Sequence, residues 1–252
     1  MSDIEANHNV PEPSPNLPMF YRKPRPMDRA RDKDLKIART TFRFAEKTNA
    51  IPIVIDEFPM ASAYYPIVFA AVVGLVNDSN LFVDGEGQWV DRAYLPGYVR
   101  RYPFILMDDP AHKQFVLCID EESDMLGTER GDALFDGDEL SDVTSSMMEF
   151  CAALRQQGDA TNEFVSALME FGMLTEMSGA IELPGGNLQL GGLLIIDSKK
   201  FDQLPNKTFL KWREKGWIGL IYAQLFSLHR WQNLGAMTAP EVRREAGGTA
   251  TG

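Results

Sequence analysis

Two apolar runs near the middle of the chain decide its fold: Phe104-Ile-Leu-Met107 and Phe115-Val-Leu-Cys-Ile119. Between them lies Asp108-Asp-Pro-Ala111, which is rich in turn-forming residues, so the two runs predict an antiparallel β-hairpin. Each run is apolar without alternation, which is typical of a strand that is covered on both faces. We therefore expect helices to pack against this hairpin.

Further short apolar runs predict a β-rich first half. Ile51–Ile55 and Tyr64–Val73 carry β-branched and aromatic residues, and Asn80–Val83 with Trp89–Val90 predicts a second hairpin. Another hairpin is predicted over Ala180–Leu190, where Pro and Gly mark the turn.

Helical periodicity dominates the second half. Asp142–Gln157 and Thr161–Leu174 each place apolar residues on one face, which predicts an antiparallel helical hairpin joined through Gly158-Asp159. Asn206–Lys215 predicts a further helix, and Trp217–Trp231 is apolar nearly all round, which is typical of a buried helix. This order of strands and helices indicates an α+β protein with a single globular domain.

Composition and proline content suggest three segments. The chain has 252 residues, 44% of them hydrophobic and 24% charged, as in folded proteins. We predict a disordered tail with a basic arm over residues 1–40, the folded domain over 41–234 and a flexible tail over 235–252.

Charge is unevenly distributed along the chain. The net charge of −11 disfavours binding to nucleic acid. Tyr21–Arg39 carries eight cations and three carboxylates, whereas Ile119–Glu149 carries one cation and eleven carboxylates. Such runs are usually solvated faces. The alternative is that the basic arm binds a membrane surface or an acidic partner.

The cysteines and the N-terminal residues indicate a cytoplasmic origin. Cys118 and Cys151 form no CxxC motif, which fits a reducing compartment. The polar, proline-rich start predicts no signal peptide, and no apolar stretch reaches the length of a membrane span. We expect a soluble protein made in the cytoplasm, with leaderless export to the cell surface as an alternative.

Sequence motifs for nucleotide, metal or nucleophile chemistry are absent. The chain lacks GxGxxG, the phosphate-binding GxxxxGK[ST], HExxH and GxSxG, so we predict no cofactor, no metal and no catalytic residue. The cluster Asp120-Glu121-Glu122-Ser-Asp124 could gather a divalent cation, although a solvated acidic loop is the more usual reading. A cysteine–histidine pair brought together by the fold stays open.

The segment Leu95–Phe104 is the densest in candidate site residues. It places two adjacent arginines between aromatic residues, just before a predicted core strand. Neighbours on an extended chain point to opposite faces, so one arginine is expected to face inward and to need a carboxylate. The result would be either a structural ion pair or a site for a carboxylate or phosphate. The candidate residues are Glu57, Arg100, Arg101, Tyr102 and Asp120.

A set of short motifs between Thr41 and Leu234 belongs together. They are Asn49-Ala-Ile-Pro52, Glu57-Phe-Pro59, Tyr65-Pro-Ile-Val-Phe69, Leu95-Pro-Gly-Tyr98, Arg100-Arg-Tyr-Pro-Phe104, Cys118-Ile-Asp120, Leu183-Pro-Gly-Gly186 and Ile221-Tyr-Ala-Gln-Leu225. In this order they resemble the SapC family of bacterial, surface-layer-associated proteins.

The resemblance implies a non-enzymatic accessory or interaction protein with protein partners. It would be linked to the bacterial surface layer or to outer-membrane uptake systems. The missing catalytic motifs favour this interpretation. The alternative is an enzyme or a small-anion-binding protein, with its site around Arg100, Arg101, Tyr102 and Asp120.

Overall fold

The structure, a computed structural model, describes residues 17–109, 113–183 and 186–238. The strands are β1 Pro24–Pro26, β2 Lys36–Ile37, β3 Ala50–Pro52, β4 Ala70–Val72, β5 Phe104–Asp109, β6 Gln114–Asp120, β7 Leu126–Gly127, β8 Asp132–Ala133, β9 Phe135–Asp136, β10 Glu139–Leu140, β11 Leu174–Leu183 and β12 Gly186–Ile196. The α-helices are α1 Arg29–Asp32, α2 Phe58–Ala61, α3 Gly97–Arg100, α4 Asp142–Glu170, α5 Ser198–Asp202, α6 Asn206–Glu214 and α7 Trp217–Ser227. Two 3-10 helices, Arg43–Ala45 and Ile55–Glu57, and a last helix over 230–238 complete the fold, and the α+β class is confirmed.

The central hairpin is confirmed. β5 and β6 pair antiparallel from Phe104 opposite Ile119 to Asp109 opposite Gln114, and the predicted turn at 110–112 lies outside the described residues. Both faces of the hairpin are covered. Phe104, Leu117 and Ile119 pack with Cys151 of α4, whereas Ile105 and Cys118 pack on the other face against Tyr21 and Tyr102.

The predicted helical hairpin is wrong, because α4 is one continuous helix of 29 residues. Gly158 and Asp159, expected to form the turn, lie in its middle. A glycine inside a helix costs only about 1 kcal/mol, which tertiary packing easily offsets. The helix begins at Ser141, whose hydroxyl accepts a hydrogen bond from the Thr144 amide. A single long helix can therefore line a long groove.

Residues 21–40 belong to the folded domain, so their prediction as an arm outside it is wrong. β1 extends the central sheet by pairing with β6, and β2 lies between β7 and β8. Arg25 forms salt bridges with the fully buried Asp32 at 2.6 Å and with Glu121 at 2.8 Å. Opposite charges in the basic and acidic stretches thus pair with each other, so the acidic partner lies in the same chain.

Two smaller expectations also change. Asn80–Val83 and Trp89–Val90 do not form a hairpin, because only an isolated bridge joins Val83 to Trp89. The C-terminal tail begins later than residue 235, because the last helix continues to 238 and buries Thr238. Residues 1–16, the turn at 184–185 and residues 239–252, to which other parts of these predictions refer, lie outside the described residues.

The largest core cluster joins α2, α7 and the C-terminal half of α4. Phe58, Phe164 and Ile221 are fully buried there, together with Tyr65. The prediction that α7 is buried all round is only partly right. Trp217 and Ile221 are buried, Leu220, Leu225 and Leu228 are half-buried, and Tyr222 and Phe226 face solvent.

We expect Arg25→Met to lower the free energy of unfolding by about 3 kcal/mol, because it leaves the buried Asp32 carboxylate without its cation. Urea unfolding of the variant and the parent measures the difference. Arg22→Met is the matched control, because its exposed side chain contributes no salt bridge within the described residues. Equal stability of both variants would show that the Arg25–Asp32 pair does not hold the N-terminal segment.

Candidate functional site

A cleft of about 440 Å³ runs along α4, opposite the segment from Pro52 to Glu57. This volume lies in the usual range for small-molecule sites. Apolar side chains form much of its wall: Ile53, Phe69, Leu106 and Leu154. Two of the predicted site residues, Glu57 and Arg101, also line it.

Glu57 is buried, and neutral donors satisfy its carboxylate. Oε2 accepts a hydrogen bond from the Val54 amide at 2.9 Å, and Oε1 accepts from the Gly97 amide at 2.6 Å and the Tyr94 hydroxyl at 2.9 Å. A Cβ at position 97 would lie 3.0 Å from Leu154 and 3.3 Å from Oε1, so the close approach favours glycine. Burial and Glu57 raise the pKa of Tyr94 to about 12, which keeps its hydroxyl a donor.

Arg101 is a cation in the cleft wall without a carboxylate partner among the described residues. It follows the last residue of α3, and its guanidinium carbon lies 3.9 Å from the centroid of the Tyr98 ring. Its Nε is buried and has no hydrogen-bond partner. Burial raises the pKa of the nearby Tyr21 and the Arg101 cation lowers it, with burial the larger effect. A buried donor without a partner marks a place where a ligand oxygen would be favourable.

Arg100 points to a different set of rings. Its guanidinium carbon lies 4.9 Å from the centroid of Phe150, and Nη2 is 3.4 Å from the Tyr94 hydroxyl. Through Tyr94 it is joined to Glu57, but it does not line the cleft. Because the two arginines end a short helix, the expectation of opposite faces on an extended chain does not apply. The predicted ion pair with Glu57 or Asp120 is not formed by either arginine.

Tyr102 and Asp120 lie outside the cleft and anchor the N-terminal segment. The fully buried Asp120 accepts hydrogen bonds from the Tyr102 hydroxyl at 3.0 Å and from the amides of Arg22 and Lys23 at 3.1 and 2.7 Å. The next residue, Glu121, has its pKa lowered to about 2 by Lys23 and by Arg25 and Arg31. These contacts make both residues structural.

Sequence reasoning missed the contribution of α4 to the site. Cys151, Arg155 and Thr161 line the cleft. Burial raises the pKa of Cys151 to about 11, although the Arg101 cation opposes the shift, so the thiol is protonated at neutral pH. Arg155 pairs with Asp108 at 3.4 Å, and the Thr161 hydroxyl accepts from the Ile55 amide at 3.0 Å. Splitting α4 at Gly158 hid the fact that these residues share a helix.

Metal and membrane features were searched over the same described ranges. There, no group of three or more His, Cys, Asp or Glu side chains is arranged to hold a metal ion. Within residues 17–109, 113–183 and 186–238, no helix combines the length and the hydropathy that a membrane crossing needs.

Comparison with known proteins gives one match. The family model described as SapC matches residues 27–234, most of the chain. Its start at residue 27 agrees with the inclusion of α1 and β2 in the folded domain. No curated protein and no solved structure gives a significant match.

Replacing Arg101 with methionine should leave the free energy of unfolding within about 1 kcal/mol of the parent, because only the contact with Tyr98 is lost. Methionine keeps much of the apolar volume against the ring. Urea unfolding beside Arg25→Met, which breaks a buried ion pair, measures the contrast. A loss as large as that of Arg25→Met would show that Arg101 has an internal ionic partner.

Proposed function

The chain belongs to the SapC family, and we propose that it is a non-catalytic accessory protein that binds a small organic anion in the cleft at Arg101. One observation carries this proposal. Arg101 lines the cleft and keeps a buried Nε without a partner, while the neighbouring carboxylate Glu57 is satisfied by neutral donors. The cation is therefore available to a ligand.

The chemistry of the cleft selects the class of ligand. A guanidinium group binds carboxylate and phosphate oxygens in a bidentate way, and does so most strongly where water is excluded. The apolar wall formed by Ile53, Leu106 and Leu154 favours a ligand with an apolar body behind its anionic group. The second cation of the cleft, Arg155, is already paired with Asp108.

Several features favour binding over catalysis. A thiolate is the nucleophilic form of cysteine, and the raised pKa of Cys151 leaves little thiolate near neutral pH. Tyr94, the hydroxyl nearest to Glu57, is likewise kept protonated. The ligand would then act as a signal or as cargo rather than as a substrate.

The family supports a place for this activity. We propose that the anion-loaded protein works with a partner protein of the bacterial surface layer or of an outer-membrane uptake system. In this proposal, the ligand sets whether the partner is bound. The link to these systems comes from the family resemblance.

Isothermal titration of the protein with benzoate and with inorganic phosphate tests the binding site. Benzoate has an anionic group and an apolar body, so we expect it to bind more tightly than phosphate. Arg101→Met should weaken benzoate binding about 10-fold or more, because a charge-assisted hydrogen bond contributes about 1.5–3 kcal/mol.

Arg100→Met is the matched control for this titration, because the neighbouring arginine lies outside the cleft. It should bind benzoate like the parent. Equal weakening by both variants would mean that the loss comes from general disruption of α3. Binding that survives Arg101→Met unchanged would place the anion elsewhere and refute the proposed site.

A further inference from the structure

The C-terminal helices carry a charge opposite to that of the whole chain. Residues 198–238, all described by the structure, contain seven lysines and arginines and two carboxylates, a net charge of +5, whereas the chain has −11. The two carboxylates are Asp202 and Glu214, and Lys215 pairs with Glu163 of α4. The excess of positive charge is thus concentrated on one part of the molecule.

The same part exposes large apolar side chains. Leu210 of α6 is 46% exposed, Tyr222 and Phe226 of α7 are 45% and 64% exposed, and Met60 of α2 is 58% exposed. We call these four residues, with the lysines beside them, the basic apolar surface. Large apolar side chains this exposed, and grouped, mark an interaction site.

Ring contacts join the helices of this surface. Phe201 of α5 contacts both Phe209 of α6 and Tyr222 of α7, with centroids 6.3 and 5.7 Å apart. The Tyr222 and Phe226 rings stack at 5.9 Å. On the other side, the Arg230 Nε donates to the Ser62 carbonyl, which holds the end of α2 beside the C-terminal helices.

Lysines flank the exposed leucine on α6. Lys207 and Lys211 lie three residues before and one residue after Leu210, and both are exposed. Residues three apart are neighbours on a helix surface, and long lysine side chains carry their charge outward beyond an apolar neighbour. This pairing of apolar side chains with cations is typical of helices that lie at a lipid interface.

We propose that the basic apolar surface binds the face of an anionic lipid bilayer. Tyr222, Phe226 and Leu210 would enter the headgroup region, and the lysines would contact the lipid phosphates. Charge complementarity selects this occupant: the local charge of +5 opposes the chain's acidity and matches an anionic headgroup layer. The surface is distinct from the cleft at Arg101, so it adds a membrane-facing side to the proposed accessory protein.

Co-sedimentation with vesicles tests this proposal. One set of vesicles contains phosphatidylcholine alone, and the other an equal mixture of phosphatidylcholine and phosphatidylglycerol. The full chain should sediment with the mixed vesicles and not with the neutral ones, and added salt should release it because salt screens surface charge. Lys207→Gln should weaken partitioning about fivefold, the usual contribution of one lysine near an anionic surface.

Phe226→Ser and Phe115→Ser form a matched pair for the apolar contribution. Both phenylalanines are exposed, but Phe115 lies on β6, away from the basic apolar surface. Phe226→Ser should reduce binding to the mixed vesicles, and Phe115→Ser should leave it unchanged. Failure of the parent to bind the mixed vesicles would refute the proposal and leave this surface to a protein partner, and unchanged binding by Phe226→Ser would refute it as well.

Discussion

The cleft depends on how the buried carboxylate of Glu57 is satisfied. A buried charge needs hydrogen bonds or an opposite charge, and Glu57 has three hydrogen bonds from the Val54 amide, the Gly97 amide and the Tyr94 hydroxyl. These bonds tie the segment after β3 to the start of α3. They also engage both carboxylate oxygens of the one acidic group that the sequence suggested for Arg101 on this side of the molecule. The arginine is consequently left to face the cleft.

The other carboxylate suggested for the arginines is engaged in the same way. Asp120 receives hydrogen bonds from Tyr102 and from two amides of the N-terminal segment, so it holds β1 against β6. That segment also brings Tyr21 behind Arg101, where its hydroxyl donates to the Phe104 carbonyl at 2.6 Å. The basic N-terminal stretch therefore forms part of the support of the cleft, although it contributes no lining residue.

Local patterns in the sequence predict the parts of this fold that depend on neighbouring residues. The apolar runs around Phe104 and Ile119 predicted β5 and β6, and Gly216 adopts the positive φ of 75° expected after α6. Continuity of α4 through Gly158 was missed because a glycine and an aspartate next to each other are typical of a turn. Only packing against the sheet shows that the helix continues.

Long-range pairing is what the sequence could not give. Arg25 and Glu121 are 96 residues apart, and the partners of Glu57 lie on either side of it in the chain. The family resemblance covered most of the chain and gave no site residues. The segment containing Arg100 and Arg101 was recognised as a candidate from its composition, but which arginine enters the cleft depends on the geometry at the end of α3.

An NMR titration of the arginine Nε–Hε signals with benzoate tests the central claim most directly, because it observes the donor that lacks a partner. The Arg101 signal is assigned by its loss in Arg101→Met. We predict that this signal shifts saturably as benzoate is added, because the carboxylate becomes the partner of a previously unpaired N–H, while the signal of Arg25 stays in place. A stationary Arg101 signal at benzoate concentrations that saturate binding would contradict the claim that this arginine awaits an anion.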